Sequence, residues 1–336
     1  MKKSTFSLIA EKAQVGIATV DRVINERGGV SPKTAQKVIS AAKELGINRV
    51  LPEVYQAPWK VEVILSKNPS HFFKYLTASF TKLVQAHQYR NIRLRCTLMP
   101  EDQPEKLASH LRNSADRYDG IIVFANDNDA VYEALSVCHD KGTPVITLAT
   151  DLPKAKRLCH VGIDQYQMGR TAGSLMSKMI REEGKIIVIS GRFDYQAHIQ
   201  RMDGFHTVMA KHNKVEISDI YYGNDERDTI RGILEAHNRE NIIGIYNSGA
   251  GNKAVGEWLS KHNKTGKCPF ITHELYPTTE SLLKDQNLYF TLDQNAQRHA
   301  ELSLNIMFNH LANNFEPHIY QDGKVSFSIF TEENIE

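Results

Sequence analysis

Apolar residues recur along the first part of this chain at helical spacing. Leu8, Ile9 and Ala13 fall one turn apart, and Gln14-Val15-Gly16 interrupts them. From Ile17 to Asn25, Val20, Val23 and Ile24 share one helical face, and after Ser31-Pro32 a third stripe runs through Val38, Ala41, Ala42 and Leu45. Ser31 supplies an N-cap with proline at the first helical position, although Thr34 in place of Glu leaves the capping box incomplete. Gly46 stands where a left-handed cap ends a helix. The spacing predicts three short helices within 1–47, the first two joined by a tight turn.

Beyond Trp59 the rhythm changes. Short β-rich runs at 61–65, 94–98, 121–124, 145–148, 186–190, 217–222, 243–246 and 270–272 alternate with helical stretches such as 72–87 and 107–113. Alternation of this kind predicts doubly wound parallel sheets, with ligands at the C-terminal ends of the strands. There are too many strands for one compact sheet, so two lobes facing across a cleft are expected. The fold class is therefore α/β: a two-lobed, doubly wound parallel-sheet module over 60–336, preceded by a small all-α domain over 1–47 and a linker or hinge over 48–59.

Charge sharpens this division. The whole chain is near neutral at +2, yet Lys2 to Lys60 holds ten Lys or Arg against five Asp or Glu. That segment nets +5 and the remainder −3, which points to a polyanion partner at one end. Cys96, Cys138, Cys159 and Cys268 are widely spaced, so neither a zinc site nor a disulfide framework is expected, and no cofactor is implied. The basic start reaches Glu11 before any apolar run long enough for a signal peptide, and no stretch approaches a membrane span. A cytoplasmic protein with no membrane partner is the expectation.

Physically, the three helices read either as a helix-turn-helix or as an ordinary three-helix cap. In the first case the second helix enters the DNA major groove. Arg22 then pairs with guanine, Thr19 and Asn25 donate to phosphate or base edges, and Ile17 and Ala18 meet a thymine methyl group. The runs Leu8-Ile9-Ala10, Ala13-x-Val15, Ala18-Thr19-Val20-x-Arg22-Val23-x-Asn25 and Val30-Ser31-x-x-Thr34 resemble the DNA-binding domain of the lac repressor family, without a gap from Phe6 to Ile47. The resemblance implies a homodimeric transcription regulator, more often a repressor, on operator DNA. Two departures are Gly16 and Asp21, where that family usually has serine. Asp21 puts a carboxylate beside DNA, to be accommodated by orienting Arg22 or by accepting from cytosine N4. The family's hinge helix wedges a leucine into the minor groove; Leu51 is the candidate here, but Pro52 and Pro58 favour a plain linker.

The larger module resembles sugar-binding periplasmic proteins through Asp119-Gly120-Ile121-Ile122-Val123, Gly142-x-Pro144-Val145, Val161-Gly162-x-Asp164 with Gly169, Arg201-x-x-Gly204-Phe205 and Thr291-x-x-Gln294. The resemblance implies a sugar or polyol effector in the cleft. Phe72 and Phe73 would stack on the sugar face, Arg201 would donate to its oxygens, and Asn247, Glu274 and Gln294 would converge on hydroxyls. Glu274 replaces the usual aspartate, and Ala149-Thr150 stands where Asp-Arg is common, with Asp151 nearby. The glycine-rich stretch 247–252 precedes a helical run, which keeps a phosphorylated sugar open, though close approach of the backbone to a sugar is the expected reason for the glycines. No nucleotide-hydrolysis signature is present. The rival classes are an enzyme using His198, His273 and Glu274 as acid and base, and a secreted transport receptor. Fourteen histidines without metal-ligand spacing argue against a metal site, and no catalytic residues are expected.

Overall fold

The computed structural model describes residues 5–25, 27, 29–47, 58–86, 92–191, 196–212 and 215–335. The chain divides into two compact units, Met1–Trp59 with His87–Arg93, and Lys60–Ala86 with Leu94–Glu336.

The first unit holds α1 (Thr5–Ala13), α2 (Ile17–Ile24) and α3 (Pro32–Glu44). Their shared core is Ile9, Ala10, Ala13, Val20, Val23, Ile24, Ala35, Val38, Ile39, Ala41 and Ala42. The Ser31 hydroxyl accepts the Thr34 amide at 3.2 Å, so α3 is capped without a glutamate. Gly46 takes φ +65°, the left-handed geometry that stops the helix. Two apolar positions differ from expectation. Leu8 is 41% exposed and Leu45 38%, because Ile9 and Ala10 turn inward in α1 while Leu45 lies just past the end of α3. Leu51 and the rest of 48–57 lie outside the described residues.

The larger unit has two sheets. The chain runs β1 (Trp59–Ser66), α4 (His71–Ala86), β2 (Ile92–Met99), α5 (Pro104–Ser114), β3 (Gly120–Val123), α6 (Asp129–Asp140), β4 (Val145–Leu148) and β5 (Cys159–Val161). These strands form one sheet in the order β2-β1-β3-β4-β5. The chain then crosses to a second lobe with α7 (Gln165–Met179), β6 (Gly184–Ser190), α8 (Gln196–Met209), β7 (Val215–Tyr222), α9 (Arg227–Ala236), β8 (Ile242–Asn247), α10 (Asn252–Lys261), β9 (Phe270–His273), α11 (Pro277–Lys284) and β10 (Phe290–Asp293). It returns as α12 (Ala296–Asn313) beside α4, and ends in β11 (Ser328–Phe330) on the second sheet, ordered β11-β10-β9-β8-β6-β7.

The expected strands are all present, and β5, β10 and β11 add three the pattern did not single out. β11 runs antiparallel to β10, so the second sheet is mixed rather than purely parallel. An edge strand tolerates this because it pairs on one side only and needs no crossover helix. Each lobe has its own core, around Leu111, Ile121 and Leu135 in the first and around Ile187, Ile245 and Phe270 in the second. A buried carboxylate belongs to the first: Glu62 accepts from Thr97 Oγ1 at 2.6 Å and Ser114 Oγ at 2.5 Å, and lies 2.9 Å from His110 Nε2.

Candidate functional site

On α2, packing of Val20, Val23 and Ile24 leaves Ile17, Ala18 and Arg22 exposed and Thr19, Asp21 and Asn25 half-buried. Ile17 is 53% exposed. The Asp21 carboxylate engages neither Arg22 nor open solvent alone. Its Oδ1 accepts from Asn25 Nδ2 at 2.7 Å, and its Oδ2 pairs with Arg27 Nη1 at 2.8 Å.

In the larger unit the C-terminal strand ends of the two lobes face a cavity of about 570 Å³. Its first-lobe wall sets aromatic rings among the polar side chains of Asn68, Ser70, Glu101 and Thr150. Phe72 and Phe73 at the start of α4 meet edge to face at 5.4 Å, and Phe73 meets Phe124 beyond β3 at 4.6 Å. The second-lobe wall is polar, with Arg201 and His198 of α8, Ser248, Glu274 and Gln294. Arg201 is only 4% exposed. Its Nε donates to Gln165 Oε1 at 2.7 Å and its Nη1 to the Ser248 carbonyl at 3.0 Å. Gln165 Nε2 in turn donates to the Ala149 carbonyl at 3.3 Å and Gln294 Oε1 at 3.2 Å, and Gln294 Nε2 donates to Glu274. One chain of hydrogen bonds thus runs from the end of β4 in the first lobe to the ends of β9 and β10 in the second.

The backbone is strained at matching places in the two lobes. Ala149 after β4 (φ +63°) and Glu274 after β9 (φ +68°) both adopt the left-handed region that non-glycine residues avoid. Each amide still bonds the next strand, Ala149 to the Val161 carbonyl at 2.8 Å and Glu274 to that of Leu292 at 3.0 Å. The ladder therefore continues one residue past each strand, and the chain must then turn sharply at the cavity wall.

Burial shapes the titrating groups here. Desolvation, with the Asp293 charge, pushes the Glu274 carboxyl up to about 8 against the opposing Gln294 hydrogen bond and Arg201. Burial also holds His273 well below the usual histidine range, and the nearby Arg201 and His198 add to this. His273 Nε2 lies 2.9 Å from the Tyr246 hydroxyl while Glu274 is engaged by Gln294. The lobes also touch at the cavity rim, where the His71 and Tyr276 rings stack at 4.2 Å and Gln196 Nε2 donates to Asp127 at 3.1 Å.

Of the residues expected at a ligand, the structure brings Phe72, Phe73, Arg201, Glu274 and Gln294 to this cavity. Asp151 and Asn247 are not among its lining. Asp151 accepts from Thr147, Leu152, Arg157 and Tyr320, which ties the loop after β4 to the returning C-terminal segment. Asn247, fully buried, donates to the Ala250 carbonyl and to Asn252 Oδ1 and accepts from the Gly249 amide, so it holds the following loop together. The glycines of that loop have an internal reason too. A Cβ on Gly249 would stand 2.4 Å from Asp225 Oδ1, and one on Gly251 2.5 Å from Ile230, so protein neighbours also require them, while both line the cavity. His198, His273 and Glu274 do share the cavity.

Residues 61–314 match the family model for the periplasmic binding protein domain, and residues 5–48 match the model for bacterial regulatory proteins of the lacI family. The chain belongs to the periplasmic binding protein domain family over most of its length, and its first unit carries a segment that matches bacterial regulatory proteins of the lacI family. Among its relatives, the ribose import binding protein of Escherichia coli (strain K12) is 29% identical over 92 residues, 27% of this chain and 31% of that protein. The match thus spans less than a third of that relative's length. The HTH-type transcriptional repressor PurR of Vibrio vulnificus (strain CMCP6) is 28% identical over 238 residues, 67% of each chain. In fold, the larger unit is similar to a solute-binding protein from Burkholderia graminis C4D1M in complex with D-arabinose, with TM-score 0.75 and 19% identity over 83% of this chain and 97% of that one.

Sequence reasoning missed Tyr276 and Phe124, which line the cavity, and Gln165, which holds Arg201 from behind it. Gln165 follows the quoted Gly162-x-Asp164 run directly, and Asp164 caps α7 through the Gln167 amide at 2.8 Å, so a polar residue at a capped helix start was the available signal. Nothing in the local pattern around Tyr276 or Phe124 separates a cavity wall from a core. Among the described residues no group of His, Cys, Asp and Glu could hold a metal ion, and no helix is long and apolar enough to cross a membrane.

Proposed function

We propose that this protein is a cytoplasmic transcription regulator, a repressor, that binds operator DNA as a homodimer through α2 and changes its operator affinity when a small polyhydroxylated ligand, a sugar or polyol, fills the interlobe cavity. In this reading residues 1–47 bind DNA, 48–59 link, and 60–336 sense. The observation that carries it is that the cavity sets the Phe72, Phe73 and Phe124 rings opposite the polar groups of Arg201, Glu274 and Gln294, with Gln165 holding Arg201 and Gln294 from behind. A sugar ring has the matching pair of surfaces, CH groups for the rings and hydroxyls for the donors and acceptors. Similarity to a ribose import binding protein and to a solute-binding protein in complex with D-arabinose supports this class.

An uncharged ligand is favoured over a phosphorylated one. Asp225, whose carboxylate accepts from the Ala250 amide at 2.6 Å just before α10, lines the cavity there and would repel a phosphate. The ligand is bound and released unchanged in this proposal. The test is fluorescence anisotropy on a duplex selected from random DNA, repeated with saturating pentoses, hexoses and polyols. One of them should move the dissociation constant about 5- to 150-fold, the usual range of such coupling. Turnover of any of them, or operator affinity indifferent to all, would sink the proposal.

A further inference from the structure

Asp21 lies in the last turn of α2, on the side away from the helical core. After the helix the chain doubles back, since the Arg27 amide bonds the Arg22 carbonyl at 2.9 Å, and this returns the Arg27 guanidinium to Asp21. One carboxylate thereby grips two side chains, Asn25 at 2.7 Å and Arg27 at 2.8 Å. The Arg27 side chain is 65% exposed, and exposed pairs of this kind contribute little to a fold. The residues 17–27 hold Asp21 and Glu26 against Arg22 and Arg27, a net charge of zero on the segment of a DNA-binding unit that would enter the groove. Phosphate attraction is therefore unusually weak at this point, although the first sixty residues as a whole are basic.

We propose that Asp21 is a positioning residue for sequence readout: it sets Asn25 and Arg27 in one geometry and cancels the charge of Arg27, so α2 gives up sequence-independent attraction to phosphate and keeps base-dependent contact. The proposal rests on the reading that α2 binds DNA. A protein discriminates by the difference between cognate and non-cognate affinity, and lowering the non-cognate term raises that difference as surely as adding a base contact. Asp21 needs no cytosine partner in this scheme, since Asn25 and Arg27 occupy its two oxygens.

The experiment uses the full-length protein, its selected operator and a random duplex of equal length, titrated across about 50 to 200 mM salt. Each phosphate contact adds about 0.9 to the slope of log K against log salt, so one more contact loses about 3.5-fold more affinity over that fourfold range. Asp21→Asn, which frees Arg27 and removes a repelling charge, should steepen the random-duplex slope by about one contact and reduce the ratio of operator to random affinity. Arg27→Gln should weaken both duplexes by exposing Asp21 to phosphate, and adding Asp21→Asn to it should restore them. A purely structural staple would change stability in a thermal melt but not the slope, and Asp21→Ser keeps the test available should the asparagine variant melt early. Unchanged slope and ratio in Asp21→Asn, or a double variant that binds as weakly as Arg27→Gln alone, would overturn the proposal. Wild-type protein that binds neither duplex would remove the DNA-binding reading beneath it, a result distinct from a variant that behaves as wild type.

Discussion

A Cβ built on Gly169 would stand 2.0 Å from the carbonyl oxygen of Arg201. That approach, with Gly204 facing the Tyr166 carbonyl in the same manner, brings the backbones of α7 and α8 together and sets the Arg201 side chain at the cavity beside Gln165. Gly169→Ala must push the helices apart, at a cost of about 1 to 3 kcal/mol in stability for such overpacking. Thermal melts should show the loss and calorimetry a weaker effector affinity. Equal ligand affinity in the variant would mean that the helices separate without moving Arg201.

Arg201→Ala addresses the ligand directly. It leaves Gln165 Oε1 and the Ser248 carbonyl without their donor, and leaves ligand oxygens unpaired. Loss of a charged donor to a buried acceptor costs about 1 to 3 kcal/mol, so effector affinity should fall about 5- to 150-fold. Operator binding without ligand should stay near wild type. Calorimetry with the cognate sugar decides it, and an undiminished affinity places the site elsewhere.

Arg22→Ala tests the DNA face. If the exposed Arg22 side chain reads guanine, operator affinity should drop by about 1 to 3 kcal/mol while a random duplex loses much less. A gel-shift comparison of the two duplexes separates base reading from phosphate contact. Equal losses on both would demote Arg22 to a phosphate contact.

Glu274 predicts a pH signature with a definite sign. Its folded carboxyl titrates at about 8, above the usual 4.5, so the folded state holds a proton that the unfolded state has lost between those values. Stability from this group is present below 4.5 and is lost as pH rises through 8. Glu274→Gln, which can still accept from Gln294, should melt higher than wild type at alkaline pH and show no such gain in acid. Burial holds His299 near 4, which acts in the opposite direction as pH falls below 6.5, so the comparison is made above that value. Parallel melting curves for variant and wild type from pH 6.5 upward would show that Glu274 is charged throughout.

Local periodicity was enough to place the three helices of the first unit and most strands of the second. Val20, Val23 and Ile24 are buried as their spacing on α2 requires, and Gly46 takes the left-handed turn that ends α3. Those features depend on residues within a turn or two of one another, where backbone geometry alone sets which side chains share a face. Leu8 and Leu45 show the limit, since an apolar residue at helical spacing is buried only where a neighbouring helix covers it.

The cavity is another matter. Resemblance to known families directed attention to Phe72, Arg201, Glu274 and Gln294, but equally to Asp151 and Asn247, which the folded chain commits to Arg157 with Tyr320 and to Ala250 with Asn252. A polar side chain at a strand end has the same local sequence whether it faces a ligand or ties down a loop. Which it does depends on partners far along the chain, such as Gln165 and Gln294, which hydrogen-bond across 129 residues of sequence. The amino-acid sequence by itself determined the helices, the alternation of strands and the charge division, because these follow from local backbone geometry and side-chain chemistry. Only the tertiary structure decided which polar groups converge, because convergence depends on how two separately packed lobes bring distant strand ends together.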